Sequence, residues 1–257
     1  MGKDFGPIES DYDFFMSHAT EAESDVAHFG QELAEFAQGR ERIRLLDFGC
    51  GTGEFSDRFL CAMRWPPAML QITLLEPVAA QRTQAAKRVA RFTQQPVTQL
   101  SQVTAAEAGQ FDLILVNHVL YYVDDLDATL SQLLAALAPG GRLLIAMAGW
   151  ENALLKFWQL GFALLKKPIP YYAADDVRAF LAQRRIAFRQ TTAPYQLAFS
   201  DSTDNRLKIL RFLFADNFTH QSSEPMLAFF APYLHDGQIV IETESEHLVV
   251  TIDSITT

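Results

Sequence analysis

Three glycines alternate in Asp47-Phe48-Gly49-Cys50-Gly51-Thr52-Gly53-Glu54, directly after the apolar run Ile43 to Leu46. Alternating glycines let a backbone turn tightly and lie against a bound molecule, because no Cβ intervenes. A helical pattern starts near Glu54, so the turn also presents the unpaired N–H groups and positive end of a helix. A second carboxylate, Glu76, ends the next apolar run, Leu70 to Leu75, and precedes Pro77. In a doubly wound sheet these two strand ends lie side by side, and a carboxylate at the second accepts both hydroxyls of a ribose. The bland alternative for Glu76 is a surface carboxylate before a proline turn.

Three ligands compete for such a turn. A nucleoside triphosphate needs Gly-x4-Gly-Lys-Ser/Thr, and no lysine follows Gly53. A dinucleotide needs a glycine or alanine three residues beyond the middle glycine; that position is Glu54. S-adenosylmethionine carries no phosphate, and its methionine carboxylate suits a helix start. The Asp-x-Gly-x-Gly-x-Gly spacing at 47 to 53 favours this third ligand.

The elements around the turn alternate in type. Strands are expected at Ile43 to Phe48, Leu70 to Leu75 and Phe111 to Val116, with a short one at Val97 to Leu100 and another at Arg142 to Met147. Helices are expected at Glu54 to Met63, 78 to 92 and Asp124 to Ala138, the last stopped by Pro139-Gly140-Gly141. Such alternation implies right-handed crossovers and a parallel sheet. Ligands of these sheets bind beyond the carboxyl ends of the strands, where strand order reverses.

Both flanks differ from this rhythm. Residues 1 to 10 read as a mobile lead, and a helical run with Val26, Phe29, Leu33 and Phe36 extends to about Gln38. This segment precedes the first strand, so it is free to fold over the turn as a lid. From Trp150 onward the chain is aromatic-rich, with helices expected at Ala174 to Arg184, 204 to 215 and 223 to 234. Gln238 to Thr243 and His247 to Ile252, separated by Glu244-Ser245-Glu246, read as a closing β-hairpin. The expected organisation is one domain: an N-terminal helical lid at 1–40, a cofactor-binding core at 41–149, a helical and aromatic cap insertion at 150–236 and the hairpin at 237–257.

Composition narrows the partners. The chain has 257 residues, 49% of them hydrophobic, enough for a substantial core. Its net charge of −10 argues against nucleic acid, whose phosphates demand a basic face. The longest apolar stretch, Ala153 to Leu165, contains Lys156 and Gln159 and is far short of the roughly 20 residues a membrane span needs. No membrane partner is expected, and no Cys/His spacing suggests a metal. Cys50 and Cys61 read as reduced thiols of a cytoplasmic protein. The expected partner is a small-molecule acceptor, and the expected state a monomer or weak homodimer.

LLDFGCGTGEF, LLEP, FDLILVNHVLYYVDD and LAPGGRLLI, in this order, resemble the motif series of class I S-adenosylmethionine-dependent methyltransferases over roughly residues 40 to 148. FMSHATE before the first strand, HVLYYVDDLDATL after the fourth, the GW near 149 and the late cap are similar to histamine N-methyltransferase. The resemblance implies an α/β fold: a doubly wound, mostly parallel seven-stranded sheet, Rossmann-like, with an antiparallel C-terminal hairpin and a helical cap. It implies S-adenosylmethionine as cofactor, S-adenosylhomocysteine as product and no metal.

By the same resemblance, Gly49, Gly51 and Gly53, with Asp47 and Cys50, would surround the methionine part of the cofactor. Glu76 and Pro77 would meet the ribose, Gln81 would approach the cofactor, and Asn117 and His118 would flank the transferable methyl. Ser101 or Thr104 would approach the adenine. Glu21 matches an acidic residue on the substrate's amine side, and His118 stands where the histamine enzyme has glutamine. Glu244 falls near a family asparagine. Tyr121, Tyr122 and Trp150 would form aromatic walls for a cation. Glu21 and His118 are thus the candidate catalytic groups. Bland alternatives stand beside them: an exposed helix-start Glu21, a satisfied half-buried His118, a solvated Glu244 and core aromatics. The substitutions at His118 and Glu244 change the pocket's hydrogen-bond code. They make a related amine, imidazole or heteroaromatic metabolite at least as good an acceptor as histamine. Transfer to a hydroxyl or carboxylate, and a non-catalytic scaffold on the same fold, are the competing readings.

Overall fold

The computed structural model describes residues 8–218 and 220–252. Two helices come first, α1 (Glu9–His18) and α2 (Glu21–Glu32). The core follows as β1 (Ile43–Phe48), α3 (Glu54–Met63), β2 (Leu70–Leu75), α4 (Ala79–Val89), β3 (Thr98–Leu100), β4 (Phe111–Asn117), α5 (Leu126–Ala136) and β5 (Leu137–Met147). Then come α6 (Ala153–Leu165), α7 (Ala174–Gln183), β6 (Phe188–Ser200), α8 (Thr203–Phe214), α9 (His220–Leu227), β7 (Leu234–His235) and β8 (Gln238–Thr251).

The strands form one sheet in the order β3-β2-β1-β4-β5-β8-β6, with the two-residue β7 beside β8 as an eighth strand. Strands β3 to β5 along this path run parallel, and β8 runs antiparallel to both of its neighbours, β5 and β6. The central strands are continuous apolar runs because helices cover both faces; Leu45, Leu46, Leu113, Ile114, Leu115, Leu143 and Leu144 are all buried. Strand order reverses between β1 and β4, where Phe48 pairs with Val116. The glycine turn after β1 and the Asn117-His118 end of β4 therefore share one crevice.

The carboxyl-terminal region departs from expectation in one particular. Residues 238–251 form one continuous strand rather than two. The antiparallel hairpin turns instead at Asp236-Gly237, where both residues have positive φ, joining β7 to β8. Glu244-Ser245-Glu246 is mid-strand because it pairs on both sides, Glu246 with Met147 of β5 and with Thr192 of β6. The region expected as a helical and aromatic cap insertion also contributes β6 to the sheet. Alternation of buried Ala193, Tyr195, Leu197 and Phe199 with the outward Pro194, Gln196 and Ala198 is its strand signature. Its Pro194 is tolerated because β6 is the edge.

The amino-terminal segment docks on that edge. Thr20 donates its backbone N–H to Gln196 O at 2.9 Å. Gln196 N–H donates to the Thr20 hydroxyl at 3.0 Å, and Ala19 bridges Leu197. The helical run expected to reach Gln38 closes at Glu32, and Leu33 and Phe36 turn inward from the loop that follows. Of the mobile lead expected at 1–10, residues 1–7 lie outside the described residues, and α1 begins at Glu9. Residues 253–257 of the expected hairpin also lie outside them.

Candidate active site

The glycine turn is built by hydrogen bonds to β2. Gly49 N–H and Cys50 N–H both donate to Leu75 O, at 2.8 and 3.0 Å. All three turn glycines have positive φ, a region costly for side-chain-bearing residues. A Cβ on Gly53 would meet Ala85 of α4 at 2.8 Å, and one on Gly49 would meet Val119 at 2.4 Å. A Cβ on Gly51 would meet nothing within 4 Å. Two glycines thus permit close packing below the turn, and the third leaves its outer side open. Glu76 reaches that side: its carboxylate accepts from Gly51 N–H at 3.3 Å and Val78 N–H at 2.9 Å. A half-buried carboxylate beside an unfilled glycine cradle fits a nucleoside with two adjacent hydroxyls. Pro77 is exposed, Gln81 is half-buried on the first turn of α4, and Ser101 and Thr104 are exposed. Thr104 caps the short 3-10 turn at Ala105–Glu107.

Asp47 lies beneath the turn and is almost fully buried. The Ser56 hydroxyl donates to its carboxylate, joining β1 to the start of α3. Burial, opposed by that bond and helped by the nearby Glu76 charge, raises its pKa to about 6. Burial and the same two carboxylates push the Cys50 thiol far up, so it is no nucleophile at neutral pH.

A second cluster forms where β4 ends. His118 has φ +49, a left-handed conformation costing about 1–2 kcal/mol in a residue with a Cβ. Its backbone N–H is held by Ala146 O at 2.9 Å. Its Nε2 lies 2.9 Å from Asp25 Oδ2, 3.6 Å from Glu21 Oε2 and 3.4 Å from Ser245 Oγ. Its Nδ1 lies 2.9 Å from the Tyr121 hydroxyl, which accepts from Ala148 N–H. Asp25 also accepts from Asn117 Nδ2 at 3.0 Å and from His247 Nε2 at 2.8 Å. Glu21 and Asp25 are four residues apart on α2, so they share one helix face. Like charges at this spacing repel, and the imidazole between them offsets that.

Burial lowers the basicity of His118, but the Glu21 and Asp25 charges and the Asp25 hydrogen bond outweigh it and raise its pKa to about 9. Burial alone would raise the Asp25 carboxyl; the His118 charge and the bonds from His118 and His247 hold it well below the usual carboxylate range. Burial raises Glu21, with His118 opposing, Asp25 reinforcing and a Tyr195 hydroxyl bond opposing. Tyr195 in turn accepts from Asn152 Nδ2 at 3.1 Å, and Asn152 caps α6 through Leu154 N–H.

The structure therefore brings Glu21, Asn117, His118 and Tyr121 into one cluster. Tyr122 packs beside it, tilted against Tyr121 at 5.5 Å between ring centroids and edge-on to Tyr171 at 5.4 Å. Trp150 is tied instead through its backbone N–H to Asp175, at 2.9 Å. Glu244 is not brought in: it is exposed on the face of β8 opposite Ser245 and His247, and its carbonyl accepts from Asn152 Nδ2 at 2.8 Å. Asp25, Tyr195, Ser245 and His247 belong to the cluster and were missed in the sequence. The i, i+4 spacing of Glu21 and Asp25 was a usable signal for the first. Reading 244–246 as a turn hid the alternation that points Ser245 and His247 inward. Among the described residues no group of three or more His, Cys, Asp or Glu is arranged to hold a metal, and no helix is long and apolar enough to cross a membrane.

Comparison with known proteins bears on this crevice. A family profile described as a methyltransferase domain matches residues 18–184. A ubiquinone biosynthesis O-methyltransferase from Caulobacter sp. (strain K31) is 28% identical over 193 residues, 67% of this chain and 72% of that protein. Histamine N-methyltransferase B from Xenopus laevis is 25% identical over 236 residues, 80% of this chain and 78% of that protein. Among solved structures, the YcgJ protein from Bacillus subtilis superposes with a TM-score of 0.56 at 15% identity, over 88% of this chain and 99% of that one. A geranyl diphosphate methyltransferase in complex with S-adenosylmethionine superposes with a TM-score of 0.52 at 16% identity, over 88% and 85%.

Proposed function

The chain belongs to the methyltransferase-domain family, whose members transfer methyl from S-adenosylmethionine, and we propose that its acceptor is a nitrogen of a small amine, imidazole or heteroaromatic metabolite. The carrying observation is the pair of carboxylates, Glu21 and Asp25, set around one imidazole at the end of β4 with side chains 12% and 0% exposed. Two buried carboxylates against one charged imidazole leave a local excess of negative charge. An acceptor bearing N–H or a cationic nitrogen supplies the missing partner. The similarity to histamine N-methyltransferase supports the same acceptor class.

In this reading Gly49, Gly51 and Gly53 would receive the methionine part of the cofactor over Asp47 and Cys50. Glu76, with Pro77, would take the ribose hydroxyls, Gln81 would close the rim, and Asn117 and His118 would border the reacting centre. Bound there, the cofactor supplies an electrophilic methyl on a sulfonium, and the S–C electron pair stays with sulfur as product forms. The chain's task is alignment, exclusion of water and removal of one proton from the acceptor. Glu21 is the group for that removal, because burial makes its carboxylate more basic. The α1–α2 segment, docked on β6, is the proposed lid of the acceptor side.

A second reading, transfer to a hydroxyl or carboxylate oxygen, draws support from the similarity to a ubiquinone biosynthesis O-methyltransferase. Incubation with methyl-labelled S-adenosylmethionine and a panel of amines, imidazoles, phenols and carboxylic acids separates the two. Label on an amine or imidazole nitrogen is expected. Label confined to phenols or acids overturns the nitrogen assignment.

A further inference from the structure

Asp25 lends the acceptor side part of its negative charge, and its two carboxylate oxygens also hold three side chains of the crevice, Asn117, His118 and His247. It is fully buried on the second turn of α2. Its Oδ2 meets Asn117 Nδ2 at 3.0 Å and His118 Nε2 at 2.9 Å, and its Oδ1 meets His247 Nε2 at 2.8 Å. An ionised carboxylate only accepts, so each of those nitrogens carries the proton that points at it. Both histidines are thereby assigned their Nε2–H form. One buried carboxylate also ties α2 to the end of β4 and to β8, three pieces of chain that meet nowhere in sequence.

We propose that Asp25, braced by His247, is the positioning residue of this site: it fixes the Nε2 proton of His118, so that His118 acts as a donor and Glu21 remains the group that takes the acceptor's proton. This rests on the methyltransferase reading of the crevice and goes beyond it in dividing the roles. Both ring nitrogens of His118 are occupied, Nε2 by Asp25 and Nδ1 by the Tyr121 hydroxyl at 2.9 Å. No lone pair on the ring is left to receive a proton without breaking one of those bonds. Glu21 lies 3.6 Å from the same Nε2 and is held otherwise by the Tyr195 hydroxyl. The proton leaving an acceptor nitrogen therefore ends on a Glu21 oxygen. The groups facing His118 are Glu21 and Asp25 from α2, Tyr121 from the turn after β4 and Ser245 from β8, while His247 of β8 meets the other oxygen of Asp25. The two carboxylates among them account for the raised basicity of His118.

The test reads the imidazoles directly, in the full chain with 15N-labelled histidine, without any acceptor. In the wild type the His118 ring should remain protonated through neutrality and titrate near pH 9. Asp25→Asn should lower that midpoint by about one pH unit or more, since a neutral amide replaces the carboxylate. His247→Asn should raise it, because Asp25 loses a competing donor. Circular dichroism and a thermal melt serve as the control that both variants are folded. A wild-type midpoint near that of free histidine, or an unchanged midpoint in Asp25→Asn, overturns the proposal. If Asp25→Asn fails to fold, an unchanged or lower His118 midpoint in His247→Asn overturns it alone. These titrations do not depend on which acceptor is methylated, so failure of the nitrogen reading and failure of this proposal are separately visible.

Discussion

The imidazole of His118 and the carboxylate of Asp25 lie 2.9 Å apart across 93 residues of chain. The contact brings the helix before the first strand to the end of the fourth. It places the candidate acceptor side within the crevice that already holds the glycine turn. Asp25 is fully buried, and a buried charge is tolerated only when paired and hydrogen-bonded. The site's ionisation and the docking of α2 are consequently one structural fact, and each prediction below tests a different part of it.

Glu76→Ala removes the carboxylate that accepts from Gly51 and Val78 at the open side of the turn. Loss of a charge-assisted hydrogen-bonding group costs about 1.5–3 kcal/mol. Calorimetry should show S-adenosylhomocysteine binding roughly 10- to 100-fold more weakly, with the fold intact by circular dichroism. Unchanged affinity would remove Glu76 from the cofactor site.

Gly53→Ala places a methyl 2.8 Å from the Ala85 α-carbon at φ +80. Backbone strain and overpacking together cost about 1–3 kcal/mol, read as a lower denaturant midpoint. Adding Ala85→Gly should recover only part of the loss, since the α-carbon contact and the positive φ remain. Full recovery would show that the side-chain clash was the whole effect.

Burial raises the Asp47 carboxyl from its ordinary 3.8 to about 6 in the folded protein. A raised carboxyl binds its proton more tightly when folded, so folding loses stability as pH rises from 3.8 to about 6. Asp47→Asn abolishes this dependence. The unfolding free energy of the variant minus that of wild type should climb by on the order of 2–3 kcal/mol between pH 4 and pH 7. A flat difference across that window would refute the buried-acid assignment.

Glu21→Gln keeps size and polarity but loses the proton-accepting carboxylate. With whichever acceptor the labelled panel identifies, turnover should fall by about 10²- to 10⁴-fold, while S-adenosylhomocysteine affinity stays constant. His118→Gln should lower turnover less, because His118 donates rather than accepts. The reverse ranking would make His118 the base.

His118 is raised from 6.5 to about 9 in the folded protein. A raised imidazole contributes stability fully below 6.5, and that contribution disappears as pH rises through about 9. Chemical denaturation should show wild type losing stability relative to His118→Gln over that interval. A constant difference would mean that the ring is not charged in the folded state.

The core from Ile43 to Met147 was legible in the sequence because each of its parts is local. Buried parallel strands are short apolar runs and the turn's glycines stand at fixed spacing; the helix expected to run to Ala138 ends instead at Ala136, and Pro139-Gly140-Gly141 lies within β5. The longest apolar stretch, Ala153–Leu165, forms α6. Pairing register was not legible: residues 238–251 form one strand only because β5 and β6 flank them on both sides. Glu244-Ser245-Glu246 carries the polar composition of a turn until those partners are present.

By itself, then, the sequence determined the class of fold and the kind of turn, through periodicity and glycine spacing that depend on neighbours a few residues away. It also determined that Glu21 and Asp25 share a helix face. Only the tertiary structure decided that this face looks onto His118 and His247, 93 and 222 residues from Asp25. The physical reason is that these groups have no meaning singly. A carboxylate on a helix and an imidazole at a strand end are ordinary surface residues until packing removes water from between them. Their charges, protons and partners are then set by one another.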